Sequence, residues 1–346
     1  MRKILLLVPA MCLMLASCGN NAVVEDKMSV IFETDVGNDV DDALAMDMLY
    51  KYAERGRIEI LGISINKNGT APAEFTDIMN TWYGHPGVPV AVVKDGAECE
   101  SDAVNYASAV CSLENEDGTK LFARTLKDYS SLPSSPEWYR KVLAGRKDSS
   151  VTIVSVGFST NLVRLLQSAP DDYSPLPGKE LVARKVSRLV LMAGCFDKEG
   201  FAEYNVVKDI PAAKAIFEEW PAPVVTSPFE VGIKICYPAS SIDNDFGWAG
   251  RHPLVEAYKS YIPMPYDRPT WDLTALLYAV EGPEWFTVSE PGDITVDEKG
   301  CTHFSPSPAG NRKYLSVTSE QADRILNHFV GMISAAPEKY QENEKK

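Results

Sequence analysis

Glu33, Asp35, Asn38, Asp39, Asp41 and Asp42 crowd into one ten-residue stretch, Glu33-Thr34-Asp35-Val36-Gly37-Asn38-Asp39-Val40-Asp41-Asp42. Carboxylates this close repel one another and resist ionising together unless a cation neutralises them. The natural partner is a hard divalent ion, which prefers carboxylate, carbonyl and water oxygens. An apolar run, Val30-Ile31-Phe32, leads into the stretch, and a helix-like run, Ala43-Leu44-Ala45-Met46, leads out. Ligands on an open parallel sheet bind beyond the carboxyl ends of its strands. Asp35 at a strand end, with Asp41 and Asp42 at a helix start, therefore reads as a metal site at the mouth of an α/β sheet.

Rival readings explain less of the stretch. An EF-hand loop beginning at Asp35 needs Gly at its sixth position and Glu at its twelfth, where Val40 and Met46 stand. A haloacid-dehalogenase-like phosphatase needs aspartate where Glu33 stands. Helix capping by Asp41 and Asp42, worth about 1 kcal/mol, leaves Asp35 and Asp39 unexplained.

The elements that must position these side chains alternate along the chain. Val30–Asp35, Ile58–Ile65, Val88–Val93, Val151–Val156, Ser187–Ala193 and Val224–Ser227 read as strands. Between and after them, helices are expected over Asp42–Arg55, Ala73–Tyr83, Lys120–Tyr129, Pro136–Ala144, from Thr160, and over Ala212–Trp220, Leu254–Tyr261 and Leu273–Val280. The pattern predicts an α/β fold: a mostly parallel open sheet with helices on both faces. Phe286–Ser289, Asp293–Val296 and Lys313–Val317 suggest a small C-terminal β appendage of antiparallel strands. Thr318-Ser319-Glu320-Gln321 has the form of a capping box opening a last helix. One domain over residues 29–335 is expected, followed by a polar tail at 336–346.

A net charge of −14 argues against nucleic-acid phosphate as a partner. Beyond Cys18 the cysteines are Cys99, Cys111, Cys195, Cys236 and Cys301, with no CxxC pair, so neither a zinc site nor a complete disulfide framework is indicated. At the N-terminus, Arg2 and Lys3 precede an apolar run, Ile4 to Leu15, and then Leu15-Ala16-Ser17-Cys18. This is the form of a secretory signal over residues 1–17, too short for a membrane span. Its end resembles the bacterial lipobox, which implies cleavage before Cys18, a lipid on the Cys18 thiol and a tether over 18–28. The expected location is the cell envelope, in the periplasm or at the outer membrane, with the membrane contacted only through that anchor.

Asp35-Val36-Gly37-Asn38-Asp39-Val40-Asp41-Asp42-Ala43-Leu44-Ala45 strongly resembles the aspartate signature of the calcium-dependent, inosine/uridine-preferring nucleoside hydrolases, in a form two residues longer than the commonest one. The similarity continues in order through Leu61-Gly62-Ile63-Ser64 with Asn68, Val156-Gly157-Phe158-Ser159-Thr160-Asn161-Leu162, Glu203-Tyr204-Asn205 and Trp271-Asp272. The resemblance implies that Asp35, Asp42, Asp272 and the Val156 carbonyl hold Ca²⁺, and that Asp35 also takes a proton from the metal-activated water. It further implies that Asp41, Asn68, Glu203 and Asn205 hold the hydroxyls of a small-molecule riboside, with Trp271 beside them. The implied activity is hydrolysis of ribonucleosides to base and ribose. The family's tendency toward dimers and tetramers makes a homo-oligomer an option.

The chain departs from the family pattern where leaving-group chemistry is concerned. Trp271 replaces the histidine associated with protonating the departing base, and an indole can stack on a base or sugar but cannot usefully donate that proton. A second family histidine, after the third strand, is also missing. His252, His303, Tyr237, Tyr266 and Arg251 are the candidates left for an acid, and Asn38 and Asp39 have no counterpart. Two further readings therefore stay open: hydrolysis of another riboside or glycoside whose leaving group needs no acid, and capture of ribosides or sugars without cleavage.

Overall fold

The computed structural model describes residues 27–96 and 105–341. The expected signal segment, Cys18 with most of the tether, Cys99 and the last residues of the tail lie outside them. Six strands, β1 (Met28–Thr34), β2 (Ile58–Ile65), β3 (Val90–Val92), β4 (Val151–Ser155), β5 (Val186–Met192) and β6 (Val224–Ser227), form a parallel array in the order β6-β5-β4-β1-β2-β3. The chain builds outward from β1 to β3 and then restarts on the other side of β1 with β4. The crevice between the ends of β1 and β4 is therefore the topological switch point, where such sheets bind ligands.

These strands are buried on both faces, so their sequences are continuous apolar runs and their alternate residues feed two cores. Phe32, Val154 and Val190 pack with the helices Asp41–Glu54, Trp271–Glu281 and Ser319–Ile333. Ile31, Ile153 and Leu189 face the helices Ser135–Ala144, Thr160–Leu166 and Ile210–Glu219. Gly62 lets the second layer seat closely: a Cβ there would lie 2.3 Å from the Trp138 ring. The last helix opens with the expected capping box between Thr318 and Gln321.

One expectation changes. No helix forms over Lys120–Tyr129. Asp77 instead accepts hydrogen bonds from the Thr125 and Leu126 amides and the Tyr129 hydroxyl, pinning the segment as a loop against the helix Thr70–Trp82. The expected C-terminal strands are present and join the edge of the same sheet. Arg312–Ser316 pairs parallel with β6, and Gly292–Val296 and Thr302–Pro306 follow it antiparallel, completing one ten-stranded mixed sheet that includes Thr287–Val288.

Candidate active site

Asp35 leaves the carboxyl end of β1. Gly37, at φ +136°, turns the chain so that Asp41 and Asp42 enter the first turn of the next helix. Neither caps that helix through its side chain. Asp42 instead takes the Thr34 hydroxyl, and Asp41 accepts from the amide of Asp272 at 3.1 Å. Asp272 lies in the first turn of the helix Trp271–Glu281. Four aspartates from distant segments thus converge where two helix N-termini favour negative charge. Oxygens of Asp41, Asp42 and Asp272 lie within 4.8 Å of one another.

Val156 follows β4 and Met192 ends β5, and the Asn205 amide donates to both their carbonyls at 3.0 Å. Glu203 caps the short helix Tyr204–Lys208, accepting from the Asn205, Val206 and Gly194 amides. Gly157 allows a close approach at the switch point: a Cβ there would meet Asn66 Oδ1 at 2.5 Å and Asp35 Oδ1 at 2.7 Å.

Asp35, Asp41, Asp42, Val156, Glu203, Asn205, Trp271 and Asp272 all line one cavity of about 300 Å³. Asn68 does not. It is exposed and pairs with the Gly96 backbone through both amide atoms, whereas Asn66, two residues earlier, is buried beside Asp35. Asn66 donates to Glu33 and to the Phe158 carbonyl, and its Oδ1 accepts nothing among the described residues. Glu33 faces away from the cavity group, held by Tyr139, Ser64, Asn66 and Ser155.

Burial dominates the electrostatics. It pushes Asp35 up to about 7, with Lys67 partly offsetting the rise. Asp41, Asp42 and Asp272 are raised by burial first and then by their neighbouring carboxylates. Glu203 is raised to about 7, again by burial. A buried, all-oxygen group that resists ionising fits a hard divalent cation. The orphaned Asn66 Oδ1 beside it also fits a site that satisfies a buried acceptor with an ion or a ligand hydroxyl.

The outer half of the cavity is aromatic, with Tyr204, Phe229, Tyr261 and Trp271. Trp271 is fixed by its indole bond to the Phe229 carbonyl at 3.0 Å and stacks on the Phe229 ring. Asp39 forms a two-pronged ion pair with Arg268, whose guanidinium lies 5.2 Å from the Trp271 ring centre and 4.9 Å from that of Tyr261. Lys67, Arg268 and Asn66 were not singled out from the sequence. Their roles arise from tertiary approach, and only the buried-strand context of Asn66-Lys67 could have hinted at them.

Among the described residues, no histidine lines the cavity. His252 is packed under Trp82 and accepts from the Leu254 amide, and His303 sits on the surface beside Asp297. The other candidate acids also lie outside the lining: Tyr237 bonds Ser241, Tyr266 bonds the Tyr258 carbonyl, and Arg251 pairs with Glu256.

Comparison with known proteins agrees with this geometry. The chain is 26% identical over 235 residues to the pyrimidine-specific ribonucleoside hydrolase RihA of Salmonella agona, a match covering 62% of this chain and 65% of that relative's length. Its fold is similar to that of a purine-preferring ribonucleoside hydrolase from Gardnerella vaginalis, with a TM-score of 0.68 at 20% identity over 88% of this chain and 98% of that one. It is likewise similar to an inosine-uridine preferring nucleoside hydrolase from Bacillus anthracis, with a TM-score of 0.68 at 18% identity over 89% and 99%. The sequence profile described as "Inosine-uridine preferring nucleoside hydrolase" matches residues 30–323, and the chain belongs to that family.

Proposed function

We propose that this protein hydrolyses the N-glycosidic bond of ribonucleosides in a Ca²⁺-dependent reaction. The observation that carries the reading is the convergence of Asp35, Asp41, Asp42 and Asp272, all buried, beneath one cavity at the switch point of the sheet. Asp35, Asp42, Asp272 and the Val156 carbonyl are the oxygens assigned to the ion, and the pKa values of the three carboxylates, raised by burial first and by neighbouring carboxylates after it, describe a cost of ionisation that a cation would relieve. When bound, Ca²⁺ lowers the pKa of water and chelates a sugar diol, fixing their relative geometry.

The chain's own residues supply the rest. Asp35 accepts the proton of the attacking water, and Asp41, Glu203 and Asn205 hold the sugar hydroxyls. Bond cleavage builds positive charge on the ribose ring, as in other glycoside hydrolysis, and the surrounding carboxylates favour it. Trp271, locked by its bond to Phe229, offers a flat face to the base or sugar. The protein would act at the cell envelope, anchored by lipid at Cys18. The sequence supports this, and no helix among the described residues is long and apolar enough to cross a membrane.

Calorimetric titration of the anchor-free protein with Ca²⁺ tests the site. Asp35→Ala and Asp42→Ala should each abolish measurable binding, and wild-type affinity in both would overturn the assignment. The lack of a histidine in the lining favours one second reading, a glycoside whose leaving group needs no acid. Assays with inosine, uridine and p-nitrophenyl riboside separate the two, since under that reading only the activated substrate turns over. A pure binding protein would be stabilised by ribosides in a melt and release no ribose.

A further inference from the structure

The inner carboxylates deal with water and sugar, but a departing nucleobase anion also needs a proton. Two phenols line the cavity, Tyr204 and Tyr261. Tyr261 lies against the Arg268–Asp39 pair and is raised to about 12 by burial first and then by the Asp39 charge, which makes it a poor donor. Tyr204 stands in a different setting. The buried Lys67, only 4% exposed, donates to Asn38 Oδ1 at 3.0 Å. That bond fixes which end of the Asn38 amide faces inward and turns Nδ2 toward the Tyr204 hydroxyl, 3.4 Å away. The Lys208 ammonium lies 5.0 Å from the centre of the Tyr204 ring. The amide donor thus faces this phenol oxygen, with the Lys208 charge over the ring and the Lys67 charge behind the amide, an arrangement that favours negative charge on the phenol.

Accepting the functional reading above, we propose that Tyr204 is the acid that protonates the departing base, with Asn38 and Lys67 as its positioning residues. The C1′–N bond breaks with its electron pair staying on the base, which takes the Tyr204 hydroxyl proton. Water bonds to C1′ and gives its proton to Asp35. The phenolate is held by the Asn38 amide beside Lys208 until solvent reprotonates it as products leave. Asn38 lies in the stretch that lengthens the aspartate signature, so the extension would supply what the replacement of histidine by Trp271 removes.

Tyr204→Phe keeps the ring and removes the proton. Its turnover of inosine or uridine should fall by about 100-fold or more, the usual size of acid catalysis, while turnover of p-nitrophenyl riboside stays within about threefold. Lys67→Met should shift the ratio of the two rates in the same direction by a smaller factor. Equal loss on both substrates, or no loss on either, overturns the assignment. If the wild-type protein cleaves p-nitrophenyl riboside but no nucleoside, the acid is absent and Tyr204 is excluded while the hydrolase reading stands. If it cleaves no riboside, the functional reading itself fails and Tyr204 falls with it.

Discussion

Asp39 shows how one residue's surroundings decide its part. Its carboxylate is taken up by Arg268 at the rim, and that guanidinium covers both Trp271 and Tyr261. Arg268→Met would leave the charge of Asp39 unpaired beside Asp41, costing about 1–2 kcal/mol in urea denaturation. Adding Asp39→Asn should recover part of that loss, a non-additivity read by a double-mutant cycle. Gly157→Ala tests the switch point, since its methyl would press on Asn66 and Asp35. The expected result is at least a tenfold loss of Ca²⁺ affinity, with the far-ultraviolet circular dichroism unchanged. Asp35, Asp41 and Asp42 were legible in the sequence because they are neighbours in the chain as well as in space. Lys67 and Arg268 were not, because nothing local marks a lysine at a strand end or an arginine before Trp271 as facing a cluster formed elsewhere.

Among the elements, the parallel core was readable because strands buried on both faces are continuous apolar runs. Partners across the sheet were harder. Arg312–Ser316 has the pattern of a strand, but its parallel pairing with β6 brings in a buried guanidinium that no local pattern announces. Arg312 donates to the Phe217 and Trp220 carbonyls at 2.6 and 2.8 Å, closing the C-terminal end of the helix Ile210–Glu219. Arginine there satisfies carbonyls that the helix cannot pair itself. Arg312→Ala should therefore cost about 3 kcal/mol, seen as a lower denaturation midpoint with Ca²⁺ affinity within twofold of wild type. The loop over residues 120–129 makes the opposite point. Its helical pattern yields to the hydrogen bonds that Asp77 offers from a neighbouring helix.

For the whole molecule, the buried carboxylates tie folding to pH. Glu203 has a folded pKa of about 7, above an unfolded value of about 4.3. Between those values the folded state holds the proton and the unfolded state does not. The stability this contributes is full below about pH 4.3 and is lost as pH rises through about 7, a change of about 4 kcal/mol. Chemical denaturation of the calcium-free protein between pH 5 and pH 8 should show a decline to which Asp35, Asp41, Asp42 and Asp272 also contribute, and Glu203→Gln should make it shallower by the share of Glu203. The central claim is that this fold and its aspartates perform a Ca²⁺-dependent cleavage of ribonucleosides. The most direct test is ribose release from inosine and uridine with Ca²⁺, after chelation, and after Ca²⁺ is restored. Release that falls by about 100-fold or more on chelation and returns with the ion is the predicted result. Equal release after chelation, or none from either nucleoside at saturating Ca²⁺, would contradict it.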